Sequence, residues 1–186
     1  ELGILYAGAI NVPLSVKIEE RADLKFRLSH SGCRVVVVSK NHAQKVFDIK
    51  NDLSDLEKII IFDPIDTQNG DIMLLDELYA KGEEFLQNHE DEFIKTRDAI
   101  KENDAANICY TSGTTADPKG IILTHRNYTA NVEQASSLLP IPEWYTSLLI
   151  LPWDHSFAHT AGIYTLMKNG ASMASIQVGK TPMETL

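Results

Sequence analysis

Cysteine is nearly missing from this sequence: 186 residues carry only Cys33 and Cys109, far apart and without metal-ligand spacing. That excludes a disulfide framework and fits small buried thiols of a reducing compartment. Long apolar runs are missing too, since none approaches the roughly 20 residues that cross a bilayer. The first ten residues, ELGILYAGAI, lack the basic start and cleavage pattern of a secretory leader. A cytoplasmic protein is expected, with peripheral association with a membrane left open. Positive charge is scarce, with 17 Lys and Arg against 26 Asp and Glu, a net charge of −9. Nucleic-acid binding depends on clustered bases, so that partner class is excluded. Between Glu83 and Asp104, eight acids face three bases, the pattern of a solvated helix and connector. An anionic ligand would need local donors, because the overall field repels it.

What is present is ordinary globular material, 44% apolar and 23% charged, in a chain long enough to bury a core. Strand-like and helix-like segments alternate. Glu19–His30 reads as an amphipathic helix through Leu24 and Leu28, closed by Gly32. Arg34–Val38 and Lys58–Phe62 are β-branched runs, expected as strands buried on both faces. Asn41–Leu53 and Leu74–Arg97 are expected helices. Ala106–Tyr110 and Gly120–Leu123 are expected strands, followed by a helix over Thr124–Leu139 with Thr124 as N-cap. Ser147–Leu151 and Ala171–Gln177 are the last strands, with a helix at His159–Lys168 between them. Strands separated by helices imply crossovers, hence an α/β fold with a largely parallel, twisted sheet flanked by helices. Glu1 begins inside an apolar stretch, and Thr181, Pro182 and Glu184 read as a helix start at the other end. A piece of a longer protein is expected.

One stretch is not explained by packing. Tyr110-Thr-Ser-Gly-Thr-Thr-Ala-Asp-Pro-Lys-Gly120 has five hydroxyl-bearing residues among its first six, with Gly113 between them. Glycine lets successive N–H groups turn inward to form an anion-binding concavity. The hydroxyls add donors, Lys119 adds a full charge, and Pro118 stiffens the approach to it. Hydrogen bonds to a charged group contribute about 1.5–3 kcal/mol each, enough for a few to outweigh a screened acidic surface. The alternative is a Ser/Thr/Gly surface turn. Against it, strand-like residues lead in and out, so the loop lies at a sheet end, where α/β folds place ligands. It does not fit the Walker pattern, because Pro118 and Gly120 flank Lys119.

The stretch resembles the signature loop of the adenylate-forming (AMP-binding) superfamily, which includes acyl-CoA synthetases, luciferases and peptide-synthetase adenylation domains. Ala116 departs from the glycine usual there. Leu123-Thr-His-Arg-Asn127, Tyr6-Ala-Gly-Ala-Ile-Asn-Val-Pro-Leu14 and Leu151-Pro-Trp-Asp-His155 are similar to further motifs of the family, most of all its bacterial long-chain fatty acyl-CoA synthetases. The resemblance implies a partial N-terminal domain over residues 1–186, in an enzyme that uses ATP, Mg2+ and coenzyme A. It also implies a two-step reaction: a carboxylic acid becomes an acyl-adenylate, and a thiol then takes the acyl group. On the same ground Thr111, Ser112, Gly113, Thr114, Thr115 and Lys119 would hold the triphosphate, with Thr115 near its magnesium. His155, Phe157 and His159 would line the acyl pocket, His159 shaping its entrance.

Other readings stand beside these. His155 and His159 are four apart, which on a helix can ligate metal, but no third ligand is near and pocket lining is preferred. Trp153 and Phe157 are as expected in a core as beside a ligand. His125 and Arg126 read as a solvated helix start. The chain could also be a non-catalytic nucleotide- or pyrophosphate-binding module, or belong to an adenylation domain for another acid. The magnesium, ribose and closure motifs of the full enzyme are not found within Glu1–Leu186. The piece alone is therefore expected to be inactive and, with apolar surface at its ends, to self-associate.

Overall fold

Gly32 ends the first long helix by taking a left-handed conformation, φ +62°. Cys33 N–H then reaches the Leu28 carbonyl at 3.0 Å and Gly32 N–H reaches that of Ser29, also at 3.0 Å. This double closure satisfies carbonyls that a helix end otherwise orphans. A Cβ at Gly32 would meet nothing within 4 Å, so the backbone alone makes glycine the fitting residue. Gly32→Ala should therefore cost about 1–2 kcal/mol, read as a lower urea midpoint with an unchanged slope.

The computed structural model describes residues 1–65, 70–111 and 117–175. In chain order the elements are α1 (Leu2–Tyr6), α2 (Arg21–His30), β1 (Val35–Val38), α3 (Lys40–Phe47), β2 (Lys58–Ile61), β3 (Ile72–Leu74) and α4 (Leu75–Ala99). Then come β4 (Ala105–Thr111), β5 (Lys119–Thr124), α5 (His125–Leu138), β6 (Thr146–Leu149), a π-helix (Ala158–Tyr164), α6 (Thr165–Lys168) and β7 (Ser172–Ser175). No described helix is long and apolar enough to cross a membrane. The chain folds as two compact units. One comprises Glu1–Ala9, Val16–Ile100 and Tyr110–Gly120; the other comprises Ile10–Ser15, Lys101–Cys109 and Ile121–Leu186.

The first unit is built on a parallel sheet ordered β1-β2-β3. Register places Val36 beside Ile59 and Ile72, and Val38 beside Ile61 and Leu74, on one face. Helix α3 covers that face with Ala43, Val46 and Phe47, and Ile59 and Ile61 become fully buried. The Asp63 carboxylate accepts the Lys40 N–H at the start of α3 (2.8 Å), an acid where the helix dipole favours one. Helix α4 buries none of its residues, as expected of the acidic stretch. It is broken at His89, where φ −139° and ψ 31° leave helical space.

In the second unit β6 and β7 pair in parallel, and Asn11 forms a parallel bridge with Asn107. Helix α5 starts with a capping box: the Asn127 N–H donates to Thr124 Oγ1 at 3.2 Å, and the Thr124 N–H donates to Asn127 Oδ1 at 2.8 Å. Arg126 is exposed and pairs with Glu102 at 2.9 Å. The inner face of α5 buries Tyr128 and Val132, four apart as the helical repeat requires.

The fold is α/β with parallel pairing, as expected, its described strands falling in three small sheets. Several local expectations are corrected. Strand β1 is not buried on both faces: Val35 and Val37 are 45% and 38% exposed, because among the described residues its second face is less well covered than the one under α3. Strand β3 and helix α1 were not foreseen. The helix expected over Asn41–Leu53 stops at Phe47, with a short 3-10 turn at Lys50–Asp52. The expected helix at His159–Lys168 is a π-helix continued by α6. Residues 176–177 of the last expected strand, and the helix start at Thr181, Pro182 and Glu184, lie outside the described residues.

Candidate functional site

The hydroxyl-rich connection leaves β4 at Thr111 and returns at Lys119, the first residue of β5. These two strands are hydrogen-bonded neighbours. Thr111 and Lys119 are exposed. Ser112, Gly113, Thr114 and Thr115 lie outside the described residues. Among the described residues no acidic side chain forms an ion pair with Lys119.

The residue before this connection is anchored. The Tyr110 hydroxyl donates to the Arg27 carbonyl (3.1 Å) in the last turn of α2. Its proton is thereby committed, so His30 Nδ1, at 2.9 Å, is the donor to the same oxygen. The Arg27 guanidinium stands 5.3 Å from the Tyr110 ring centroid and is itself held by both Asp23 carboxylate oxygens at 2.7 and 3.1 Å. His30 stacks on Phe26 with centroids 5.2 Å apart. Burial pushes the Tyr110 phenol above its ordinary value, which keeps it a neutral donor. Sequence reasoning credited Tyr110 only as a hydroxyl of the loop, but here it fastens the loop's root to the helix that Gly32 closes. Tyr110→Phe should cost about 1 kcal/mol, the net value of one such bond, measured as a lower denaturant midpoint.

A second set of expected residues lies in the other unit. Between β6 and the π-helix is a cavity of about 280 Å³ with apolar walls that include Leu149, Leu151, Trp153, Ala158, Ala161 and Gly162. Gly162 faces Leu149 across this wall: a Cβ there would stand 3.4 Å from Leu149 Cδ2, an ordinary contact. His155 and Phe157 are exposed and are not among the wall residues of this cavity. His155 Nδ1 accepts the Phe157 N–H at 3.1 Å, shaping the turn that enters the π-helix.

His159 lies in the interior of this unit. It is 1% exposed. Nε2 is 2.7 Å from the Trp153 carbonyl, while Nδ1 faces the Asn107 amide at 3.3 Å and the Tyr128 hydroxyl at 3.2 Å. Asn107 and Tyr128 were missed from sequence. Their signals were a lone amide in an apolar strand and a tyrosine on the inner repeat of α5. Neither said what they would meet.

The AMP-binding enzyme family matches residues 1–185. Luciferin 4-monooxygenase of Photuris pensylvanica is 30% identical over 159 residues, covering 84% of this chain and 28% of that protein. Fatty acyl-CoA synthetase B of Dictyostelium discoideum is 30% identical over 140 residues, covering 71% of this chain and 20% of that protein. Among solved structures, the anthranilate CoA ligase AuaEII in complex with anthranoyl-AMP superposes with a TM-score of 0.73 at 20% identity, over 95% of this chain and 32% of that one. The chain spans less than a third of each of these proteins. With the whole chain matched and the signature stretch bracketed by paired strands, this protein belongs to the AMP-binding enzyme family.

Proposed function

We propose that this chain is the phosphate- and acid-binding part of a cytoplasmic acid–thiol ligase. Its complete form would join ATP and a carboxylic acid, such as a fatty acid, to give an acyl-adenylate, then pass the acyl group to coenzyme A. The observation that carries this reading is the bracketed loop: a hydroxyl-rich run between hydrogen-bonded strand ends, with Thr111 and Lys119 exposed at its two roots. In this reading the loop's amides and hydroxyls, from Thr111 through Ser112, Gly113, Thr114 and Thr115, take the β- and γ-phosphates. Lys119 neutralises charge that grows on the leaving pyrophosphate, which is electrostatic catalysis. The chemistry of the set fits a magnesium-bound triphosphate, to which Thr115 would contribute its hydroxyl; magnesium, when bound, would supply positive charge against that of the phosphates.

The apolar cavity beside Trp153 supports an acid with an apolar tail. Its volume of about 280 Å³ falls just short of the usual ligand-site range of about 300 to 1,000 Å³. His155 and Phe157, exposed on the segment that carries Trp153, would meet the acyl or adenylate group. The related names support the same chemistry: one is a fatty acyl-CoA synthetase, and another structure holds an acyl-adenylate. ATP–pyrophosphate exchange by the complete protein, run against a panel of carboxylic acids, tests the proposal. Acid-dependent exchange is expected. Nucleotide binding without exchange for any acid would favour a binding module instead.

A further inference from the structure

His159 is the most enclosed ionisable side chain among the described residues, and its partners assign its protons. A carbonyl only accepts, so Nε2, 2.7 Å from the Trp153 oxygen, carries the hydrogen. Nδ1 then offers a lone pair, and the two groups beside it, the Asn107 amide and the Tyr128 hydroxyl, are both able to donate. The ring therefore links four segments of one unit: β4 through Asn107, α5 through Tyr128, the π-helix that bears it, and the turn that bears Trp153. A buried polar group left without partners is destabilising, so the four groups hold one another in place. Tyr164 adds a further fixed ring, edge-on to Tyr128 at 5.2 Å. The π-helix carries His159 between Ala158 and Ala161, which are both cavity walls, while Trp153 forms another part of the wall. The hydrogen bond from His159 to the Trp153 carbonyl thus ties two parts of the cavity wall together from behind.

We infer that His159 is a positioning residue that, through the Trp153 carbonyl, holds Trp153 against the π-helix and sets which acids the apolar cavity accepts. The selectivity half of this inference rests on the ligase reading above, whereas the clamp itself does not. Trp153 and His159 are six residues apart, so losing the bond frees the wall first in the turn between them. Glutamine can replace the ring, because its amide carries a donor nitrogen and an acceptor oxygen on one carbon. Leucine fills the space and offers neither.

The test uses the complete enzyme with His159→Leu and His159→Gln. Hydrogen exchange by mass spectrometry is read on the peptide covering Leu151–Phe157, and KM is measured for ATP and for short, medium and long straight-chain acids. His159→Leu should speed exchange in that peptide about 10-fold or more, by more than in α5, with β6 unchanged. Acid KM should rise unevenly along the series, by about 10-fold at most, while ATP KM stays within about twofold. His159→Gln should restore both readouts. Unchanged exchange in the leucine variant, or equal shifts for every acid and for ATP, overturns the inference. Should His159→Leu not fold, nitrogen-15 histidine spectra of the wild-type protein decide. A slowly exchanging Nε2–H on a ring in that single tautomer supports the clamp, and its absence overturns it. Wild-type protein that adenylates no acid would refute the ligase reading, while exchange and ring-proton signals still decide the clamp.

Discussion

Replacing Lys119 by alanine in the complete enzyme should slow adenylation about 10-fold or more at limiting ATP, the loss typical of one charged donor. The expectation follows from place and charge. Lys119 opens β5 with its side chain exposed and stands in a protein whose net charge of −9 offers an incoming triphosphate little attraction elsewhere. Its contribution is to a charge that grows during the reaction, so kcat at saturating ATP should fall as well as apparent affinity. Arginine at the same position should recover only part of the rate, because a planar fork does not replace a compact ammonium. Acid KM should hardly move. Pyrophosphate exchange with unchanged kinetics in Lys119→Ala would remove the residue from the mechanism.

Ile59→Ala should cost about 2–5 kcal/mol of unfolding free energy, the range for a large buried aliphatic truncated to a methyl. Ile59 is fully buried at the centre of the face where β1, β2 and β3 meet α3. Its strand has a neighbour on either side, so little can collapse into the space left. Val37→Ala on β1 is the control. That side chain is partly exposed on the other face, and its truncation should cost less than about 1 kcal/mol. Chemical denaturation of both variants measures the contrast directly. Equal losses would mean that the second face of β1 is covered as thoroughly as the first.

The elements legible in the sequence were those specified by neighbours in the chain. Leu24, Leu28 and Gly32 marked α2 and its closure, the Ile59–Ile61 run marked a strand buried on both sides, and Thr124 marked the start of α5. The elements missed depend on partners distant in sequence. Strand β3 has only three residues, and its pairing with β2 is the feature that makes it a strand. Val35 and Val37 read as buried because composition does not say which strand of a sheet lies at its edge. The π-helix has no local code comparable to a cap or a breaker. At the candidate site, the residue types of the phosphate loop were plain from spacing alone. The role of Tyr110 was not, since its partners at Arg27 and His30 lie 83 and 80 residues away. His159 is the sharpest case. The sequence suggested a pocket residue but carried no sign of its bonds to Asn107, Tyr128 and the Trp153 carbonyl.

The exposed edge of β1 bears on how the chain behaves before it is fully folded. Four consecutive valines without charge or proline form the kind of segment that recruits a second copy of itself. In the finished sheet β2 occupies one side of this strand, but a nascent chain presents both sides until residues 58–61 have been made. The flanking cations stand guard over that interval: Arg34 immediately before the run and Lys40 just after it put like charge at both ends of any strand-to-strand dimer. Arg34 later turns to Glu57 at 2.7 Å, beside the start of β2, so the guard at one end is neutralised only as the protecting strand arrives. Solubility during synthesis is in this way written into the two residues that bracket the valines, and they contribute little to the folded core they protect.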